Sequence, residues 1–212
     1  HKQHSGSILR NAIPDFSHLK QVPVLASLMG VLFLVQFASS VTVPMLPLFI
    51  VELSTSAQAV GSMSGLIIAA SAMTGALAAG IIGKVSGRLG YAKTLLFCLA
   101  GAFFFYLPQG LIQAPWQLLV LRMGSGAFLG GTMPSVNALI ASNCAKDRQG
   151  ATFGLSSSVS SMGMALGPAI GAAVATAAGY RSVFFVTAMA LGLVGMLIAK
   201  SIHHPGPGSS RS

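Results

Sequence analysis

The sequence contains very little charge, and acidic charge is the scarcest of all. Of its 212 residues 7% are charged, three are acidic and 53% are hydrophobic, which gives a mean hydropathy of +0.77. A soluble domain of this length does not need so much apolar surface to fill one core. The composition therefore excludes an ordinary soluble domain and predicts an integral membrane protein.

The basic residues do not indicate nucleic-acid binding, although they give the chain a net charge of +9. A nucleic-acid-binding protein gathers its Lys and Arg on one face of a soluble fold, with aromatic residues between them. Here the twelve basic residues mostly lie between long apolar runs. We therefore expect the lipid bilayer, and no nucleic acid, as a partner.

Groups that could hold a metal or perform catalysis are missing from the apolar runs. The two cysteines, Cys98 and Cys144, form no CxxC pair, and all five histidines lie in the terminal segments. The three acids, Asp15, Glu52 and Asp147, fall in predicted loops or at their edges. We expect no metal, no cofactor and no enzymatic site. We also expect no proton-carrying group within the spans.

Six apolar runs are long enough to cross a bilayer as helices, since a span needs about 20 apolar residues. Short separators with charges or helix breakers divide these runs. Residues 1–22 are charged and have no apolar core, which predicts a cytoplasmic linker rather than a signal peptide. Residues 23–200 then form a six-span bundle, and residues 201–212 form a cytoplasmic tail. The predicted spans are 24–50, 59–82, 94–112, 117–142, 151–177 and 182–200.

Lys and Arg are unevenly divided between the two ends of the spans. Ten of them lie in the leader, in the tail, or in the separators after the second and fourth spans. The opposite side keeps Arg181, and Arg122 lies within the fourth span. Because cytoplasmic segments carry the excess of basic residues, both termini are predicted to be cytoplasmic.

Polar residues in the first and fourth spans are candidates for a substrate cavity. Arg122 is the one ionisable residue inside a predicted span, and such residues are functional candidates by default. Alternatively, its long side chain reaches back to the outer interface beside Trp116. The uncharged candidates either line a cavity or bond to neighbouring helices as packing contacts. They are Gln36, Ser39, Ser40, Thr42, Thr132 and Asn137.

Two Thr-x-Pro sequences suggest an internal repeat. They are Thr42–Pro44 in the first span and Thr132–Pro134 in the fourth, 90 residues apart. Many carriers are built from inverted repeats of three plus three spans. Coincidence is the alternative explanation.

The fifth span carries a glycine series around the stretch GMALGPAIGAA, residues 163–173. Residues four apart share one face of a helix, so Gly163, Gly167 and Gly171 form a smooth face on which another helix can pack closely. Pro168 interrupts the backbone hydrogen bonds and permits a kink. We expect a helix that slides or tilts against its partner.

With Gly154 nine residues before Gly163, this series resembles motif C of the drug:proton antiporters in the major facilitator superfamily. In the fourth span, Leu118, Arg122 and Gly126 resemble the Leu-x-x-x-Arg-x-x-x-Gly element of the same family. The resemblance covers roughly residues 20–200.

The segment after the second span, GKVSGRLG, is similar to the cytoplasmic loop signature of that family. Gly83, Arg88 and Gly90 match the signature, whereas Gly87 stands where the family has an aspartate. The missing acid, the polar leader and the polar tail indicate the C-terminal half of a twelve-span carrier. The resemblance also implies a bacterial inner membrane location.

The resemblance implies a fold in which two six-helix bundles, each a 3+3 inverted repeat, rock about a central site. This chain would be one bundle, and its partners would be the N-terminal six-helix half of the same transporter and a small-molecule substrate. Spans one and four would line the cavity, two and five would form the moving interface, and three and six would face lipid.

Three functions follow from these observations. The leading interpretation is part of an exporter of small amphipathic organic compounds or drugs, coupled to protons through the other half. One alternative is an uptake carrier for a small metabolite anion bound by Arg122. The other is a six-span homodimeric scaffold whose glycine faces drive assembly.

Overall fold

The computed structural model describes residues 23–53, 57–144 and 146–203. Every regular element in these ranges is helical, which confirms the all-α prediction. The predicted linker 1–22 and the residues of the tail beyond 203 lie outside the described part. The α-helices are α1 Pro23–Thr42, α2 Met45–Leu53, α3 Ala57–Leu89, α4 Tyr91–Tyr106, α5 Pro115–Asn143, α6 Gln149–Ala178 and α7 Tyr180–His203. Two short 3-10 helices cover Leu107–Leu111 and Lys146–Arg148.

Five of the described helices are long and apolar enough to cross a membrane. They are α1, α3, α4 with its 3-10 extension, α6 and α7. Helix α5 has 29 residues, or about 43 Å at 1.5 Å per residue, and is therefore also long enough. It is less apolar because it carries Arg122 and several hydroxyl side chains. Four of these polar residues are buried against other helices, namely Arg122, Ser125, Thr132 and Ser135.

The first predicted span, 24–50, is not one continuous helix. Helix α1 ends at Thr42, a turn covers Val43 and Pro44, and α2 begins at Met45. Pro44 has no backbone N–H, and its ring clashes with the preceding helical turn, so the helix breaks there. The carbonyl of Val43 accepts a turn hydrogen bond from the backbone N–H of Leu46 at 3.4 Å.

The separator predicted between the second and third spans, residues 83–93, is largely helical. Helix α3 continues through Gly83 and Arg88 to Leu89, and α4 begins at Tyr91. The chain turns at Gly90, whose φ of 89° favours glycine because other residues rarely adopt it. Of the three predicted loop-signature residues, Gly90 alone lies between helices. Charge and glycine content predicted a loop, but these residues can also extend a helix into the aqueous phase.

The six spans pack as two equivalent sets of three. The two most extensive helix pairs are α3 with α5 and α1 with α6, that is, spans two and four and spans one and five. Exchanging the first three spans with the last three converts each pair into the other. Helices α4 and α7, the third spans of each set, pack against each other and against the first span of the opposite set. This pattern supports the predicted three-plus-three repeat.

Helices α3 and α5 cross with their backbones in contact. A Cβ atom at Gly130 would overlap the backbone of Gly75, and a Cβ atom at Gly126 would overlap the backbone of α3. The hydroxyl of Thr74 donates across the crossing to the carbonyl oxygen of Met123 at 2.9 Å. In a bilayer, where lipid tails are as apolar as the side chains, such close packing and interhelical bonds hold helices together.

We predict that Gly130→Ala destabilises the protein by about 1–3 kcal/mol relative to Gly80→Ala, because its methyl group forces two backbones apart. Gly80 lies in α3 with no atom within 4 Å of its Cβ position. Both changes add the same helix propensity, so the difference reports the crossing alone. Unfolding in detergent, followed by circular dichroism, measures it. Equal stability of the two variants would contradict the close approach.

Candidate functional site

A cavity of about 270 Å³ lies among α1, α2, α3, α5 and the end of α4. Its polar wall is formed by Ser39, Ser71, Tyr106 and Arg122. The rest of the wall is apolar and consists of Val43, Leu46, Ile67, Ile68, Ala72, Gly126 and Leu129. A mostly apolar wall with a few polar groups is typical of sites that bind small organic molecules.

The Arg122 side chain is buried inside the bundle, with 7% of its surface exposed. Its Nη1–H donates to the Tyr106 hydroxyl at 3.3 Å. Its Cζ atom lies 5.4 Å from the ring centroid of Tyr106 and 5.9 Å from that of Phe184. Both rings are within cation–π range, and they stabilise the guanidinium in place. The side chain therefore faces the bundle interior rather than the outer interface, where Trp116 is 62% exposed.

Two of the three guanidinium nitrogens have no partner in the described part of the chain. Nε and Nη2 of Arg122 are buried there without a hydrogen bond. An unsatisfied buried donor costs about 1–3 kcal/mol, and more when it is charged. The hydrogen bonding of the Arg122 guanidinium is therefore incomplete within the described residues.

A buried glutamine extends this polar cluster. Gln109, in the 3-10 helix Leu107–Leu111, is fully buried, and its Nε2 donates to the carbonyl oxygen of Phe105 at 2.9 Å and to Ser125 Oγ at 3.4 Å. Ser125 Oγ in turn donates to the backbone oxygen of Arg122 at 3.1 Å. Sequence reasoning missed Tyr106 and Gln109 because the third span was expected to face lipid. The amide within an otherwise apolar run was the available signal.

The other predicted cavity residues lie elsewhere. Gln36 and Ser40 contact the glycine face of α6. Thr42 and Thr132 are buried, and their hydroxyls donate to carbonyls of their own helices at 3.4 and 2.6 Å. Asn137 is exposed. Of the seven predicted residues, the structure brings Ser39 and Arg122 to the cavity.

The glycine face of α6 packs directly on α1. A Cβ atom at Gly163 would lie 2.5 Å from the carbonyl oxygen of Phe33, and one at Gly171 would lie 2.8 Å from that of Val41. A Cβ atom at Gly167, between them, would be 2.5 Å from a side-chain carbon of α1. All three positions are closer than real Cβ atoms approach such groups, so the contact requires glycine.

The remaining motif residues of α6 lie off this face. Gly154 is exposed, with no atom within 4 Å of its Cβ position. Pro168 is also exposed, and α6 is helical on both sides of it. Pro168 has no backbone N–H, so one helical hydrogen bond is missing on the side of α6 that faces away from α1. Pro168 directly follows Gly167, which lies on the side that packs on α1.

At the Trp116 end of the bundle, Arg181 of α7 contacts α2 and the 3-10 helix Leu107–Leu111. Arg181 Nε lies 3.8 Å from Glu52 Oε1, and both side chains are more than a third exposed. Arg181 Nη1–H also donates to the carbonyl oxygen of Gly110 at 3.2 Å, and its Cζ lies 5.8 Å from the Phe49 ring centroid. Exposed ion pairs contribute about 0–1 kcal/mol. The pair positions the ends of α2 and α7 rather than stabilising the whole bundle.

Comparison with known proteins identifies the relatives of this chain. The family model of the Major Facilitator Superfamily matches residues 28–212. The "Multidrug resistance protein MdtG" of Serratia proteamaculans is 32% identical over 176 residues, which cover 83% of this chain and 43% of that protein. The MdtG of Citrobacter koseri is 32% identical over 170 residues, which cover 80% and 42%. The chain thus spans less than half the length of these relatives. It belongs to the Major Facilitator Superfamily, and its six-span bundle is a half of that fold.

Proposed function

We propose that this chain forms one half of a membrane exporter that moves small amphipathic organic compounds outward by alternating access. The observation that carries the proposal is the backbone contact of α6 with α1 beside the Arg122 cavity. A helix packed through glycines can shift along its partner without side chains blocking the movement. The names of the relatives in Serratia proteamaculans and Citrobacter koseri support drugs as the substrate class.

The exposed faces of α3 and α6 suit a second half-bundle. Few residues of either helix are buried within this bundle. Their exposed large apolar residues include Leu66, Met73, Leu77, Met162 and Leu166. We propose that the N-terminal half of the same transporter covers part of this surface, and that lipid covers the rest.

The cavity wall supports amphipathic rather than strongly polar cargo. Seven of its eleven residues carry no polar side chain, and one carries a full charge. A sugar would require more hydrogen-bond donors and acceptors than this half provides. We place proton coupling in the other half, because neither acid in the described part of the chain lies in mid-span. Glu52 is next to the last residue of α2, and Asp147 lies in the short 3-10 helix between α5 and α6.

Of the two alternatives, anion uptake is favoured by one observation, the incompletely paired guanidinium of Arg122. The homodimeric scaffold has less support, because the glycine face of α6 and the glycines of α5 are used inside the bundle. Gly163, Gly167 and Gly171 pack on α1, and Gly126 packs on α3.

We predict that Gly167→Ala in the complete carrier slows dye efflux by about tenfold. The added methyl strains the α1–α6 contact by about 1–3 kcal/mol. If the two transport conformations differ at this contact, the strain differs between them and shifts the balance of the two, which slows efflux. Efflux of a fluorescent cationic dye from preloaded cells, normalised to the amount of protein in the membrane, measures the effect. Gly150→Ala, on the same helix but outside the glycine series and with no atom within 4 Å of its Cβ position, is the matched control. Equal efflux by both variants would exclude this face as the moving contact.

The proposed orientation predicts which exposed positions a membrane-impermeant maleimide reaches. In a background without other cysteines, Gln113→Cys should react in intact cells, because it precedes α5 on the side of Trp116. Lys84→Cys should react after permeabilisation, because it lies on the side where basic residues concentrate. Both native side chains are exposed. The reverse labelling pattern would place the termini outside.

A further inference from the structure

Arg122 carries a buried positive charge that has no carboxylate partner in the described part of the chain. Its guanidinium is buried, one nitrogen donates to Tyr106, and two nitrogens have no partner in the described part of the chain. A charge within the membrane interior is stable when it is paired and hydrogen-bonded. Among the described acids, Glu52 is paired with Arg181 instead. Asp147 lies beyond the C-terminal end of α5, whereas Arg122 lies near the N-terminal end of that helix. We therefore look for the counter-charge outside the described residues of this bundle.

The two unpaired nitrogens define the shape of the missing group. Nε and Nη2 are neighbours on one edge of the planar guanidinium, so their N–H groups point the same way in parallel. A carboxylate accepts both at once through its two oxygens, which is the bidentate geometry that arginine favours. Tyr106 holds Nη1, and the Tyr106 and Phe184 rings fix the plane of the guanidinium. The free edge is thus held in a fixed orientation.

The surroundings favour a single negative charge. Arg122 is the one ionisable residue with a charge at neutral pH in the cavity wall, whose other polar side chains are hydroxyls. One carboxylate neutralises it, whereas a phosphate dianion would leave an excess negative charge in an apolar wall. Arg122 lines the cavity of about 270 Å³, and its Nε and Nη2 are buried, so a carboxylate in the cavity reaches them when the neighbouring side chains move apart.

We propose that Arg122 forms a carboxylate-binding site. The carboxylate comes either from a transported or regulatory ligand or from an Asp or Glu side chain of the other half. The inference rests on the proposed function in one respect, which is that a second half closes this side of the cavity. The two sources share the same chemistry, and the following experiment separates them.

The test uses the complete carrier in detergent, with benzoate as the probe and benzamide as its neutral counterpart. Thermal unfolding is followed by circular dichroism, and benzoate affinity is obtained from the saturable rise of the unfolding temperature. Three proteins are compared: the wild type, Arg122→Gln and Arg122→Lys. Arg181→Gln is the matched control, because that arginine has a visible carboxylate partner at the surface.

If the carboxylate belongs to a ligand, benzoate raises the unfolding temperature of the wild type and benzamide does not. Arg122→Gln then loses the response, Arg122→Lys binds benzoate about tenfold more weakly because it lacks the fork, and Arg181→Gln responds like the wild type. If the carboxylate belongs to the other half, benzoate has no effect and Arg122→Gln unfolds at a lower temperature. Neutralising one membrane-embedded Asp or Glu of that half then restores its stability.

The proposal is overturned if benzamide acts like benzoate, since the cavity would then recognise the ring and not the charge. If benzoate has no effect, two further results overturn the proposal. One is that Arg122→Gln is as stable as the wild type. The other is that Arg122→Gln is less stable and that no substitution of a membrane-embedded Asp or Glu in the other half restores its stability. These readouts do not depend on transport. If the carrier binds benzoate through Arg122 but exports no dye, the exporter proposal fails and the carboxylate-binding site stands.

Discussion

The close approach of helix backbones at two crossings is the constraint on which this structure depends. At Gly130 in α5 and at Gly163 in α6, any side chain would enter the backbone or the side chains of a neighbouring helix. In a bilayer no hydrophobic force drives helices together, so contact area and backbone proximity must hold them. These two contacts place α5 directly against α3 and α6 directly against α1, and α4 and α7 complete the bundle.

The repeat conserves the position of these crossings and not the residues that form them. Gly75 and Gly167 are 92 residues apart, and so are Ser71 and Gly163; each pair occupies matching positions in the second spans of the two sets. In the α3–α5 crossing the glycines lie on both helices. In the α1–α6 crossing they lie on α6, opposite Gln36 and Ser40. At these crossings the two sets of three spans share the requirement for small volume rather than the same residues.

The sequence predicted the features that depend on local patterns. Apolar runs gave the six helices, and a spacing of four residues gave the face of Gly163, Gly167 and Gly171. The sequence did not predict the features that depend on three-dimensional neighbours or on one backbone angle. The end of α3 is set by the positive φ of Gly90, not by the charged residues before it. The partners of Arg122 are Tyr106, 16 residues earlier in the chain, and Phe184, 62 residues later, and no spacing rule connects them.

The cavity and one of the crossings share residues, so in the proposed carrier ligand binding and helix movement would be coupled. Ser71 and Gly126 line the cavity, and the same two residues form part of the α3–α5 contact. A shift of α3 along α5 therefore moves the α3 part of the cavity wall relative to Arg122, which lies on α5 like Gly126. A ligand can change the balance between two conformations only by binding them unequally. If the chain works by alternating access as proposed, a group held by Arg122 would contact a different part of α3 in each conformation, because the wall and the crossing are built from the same residues.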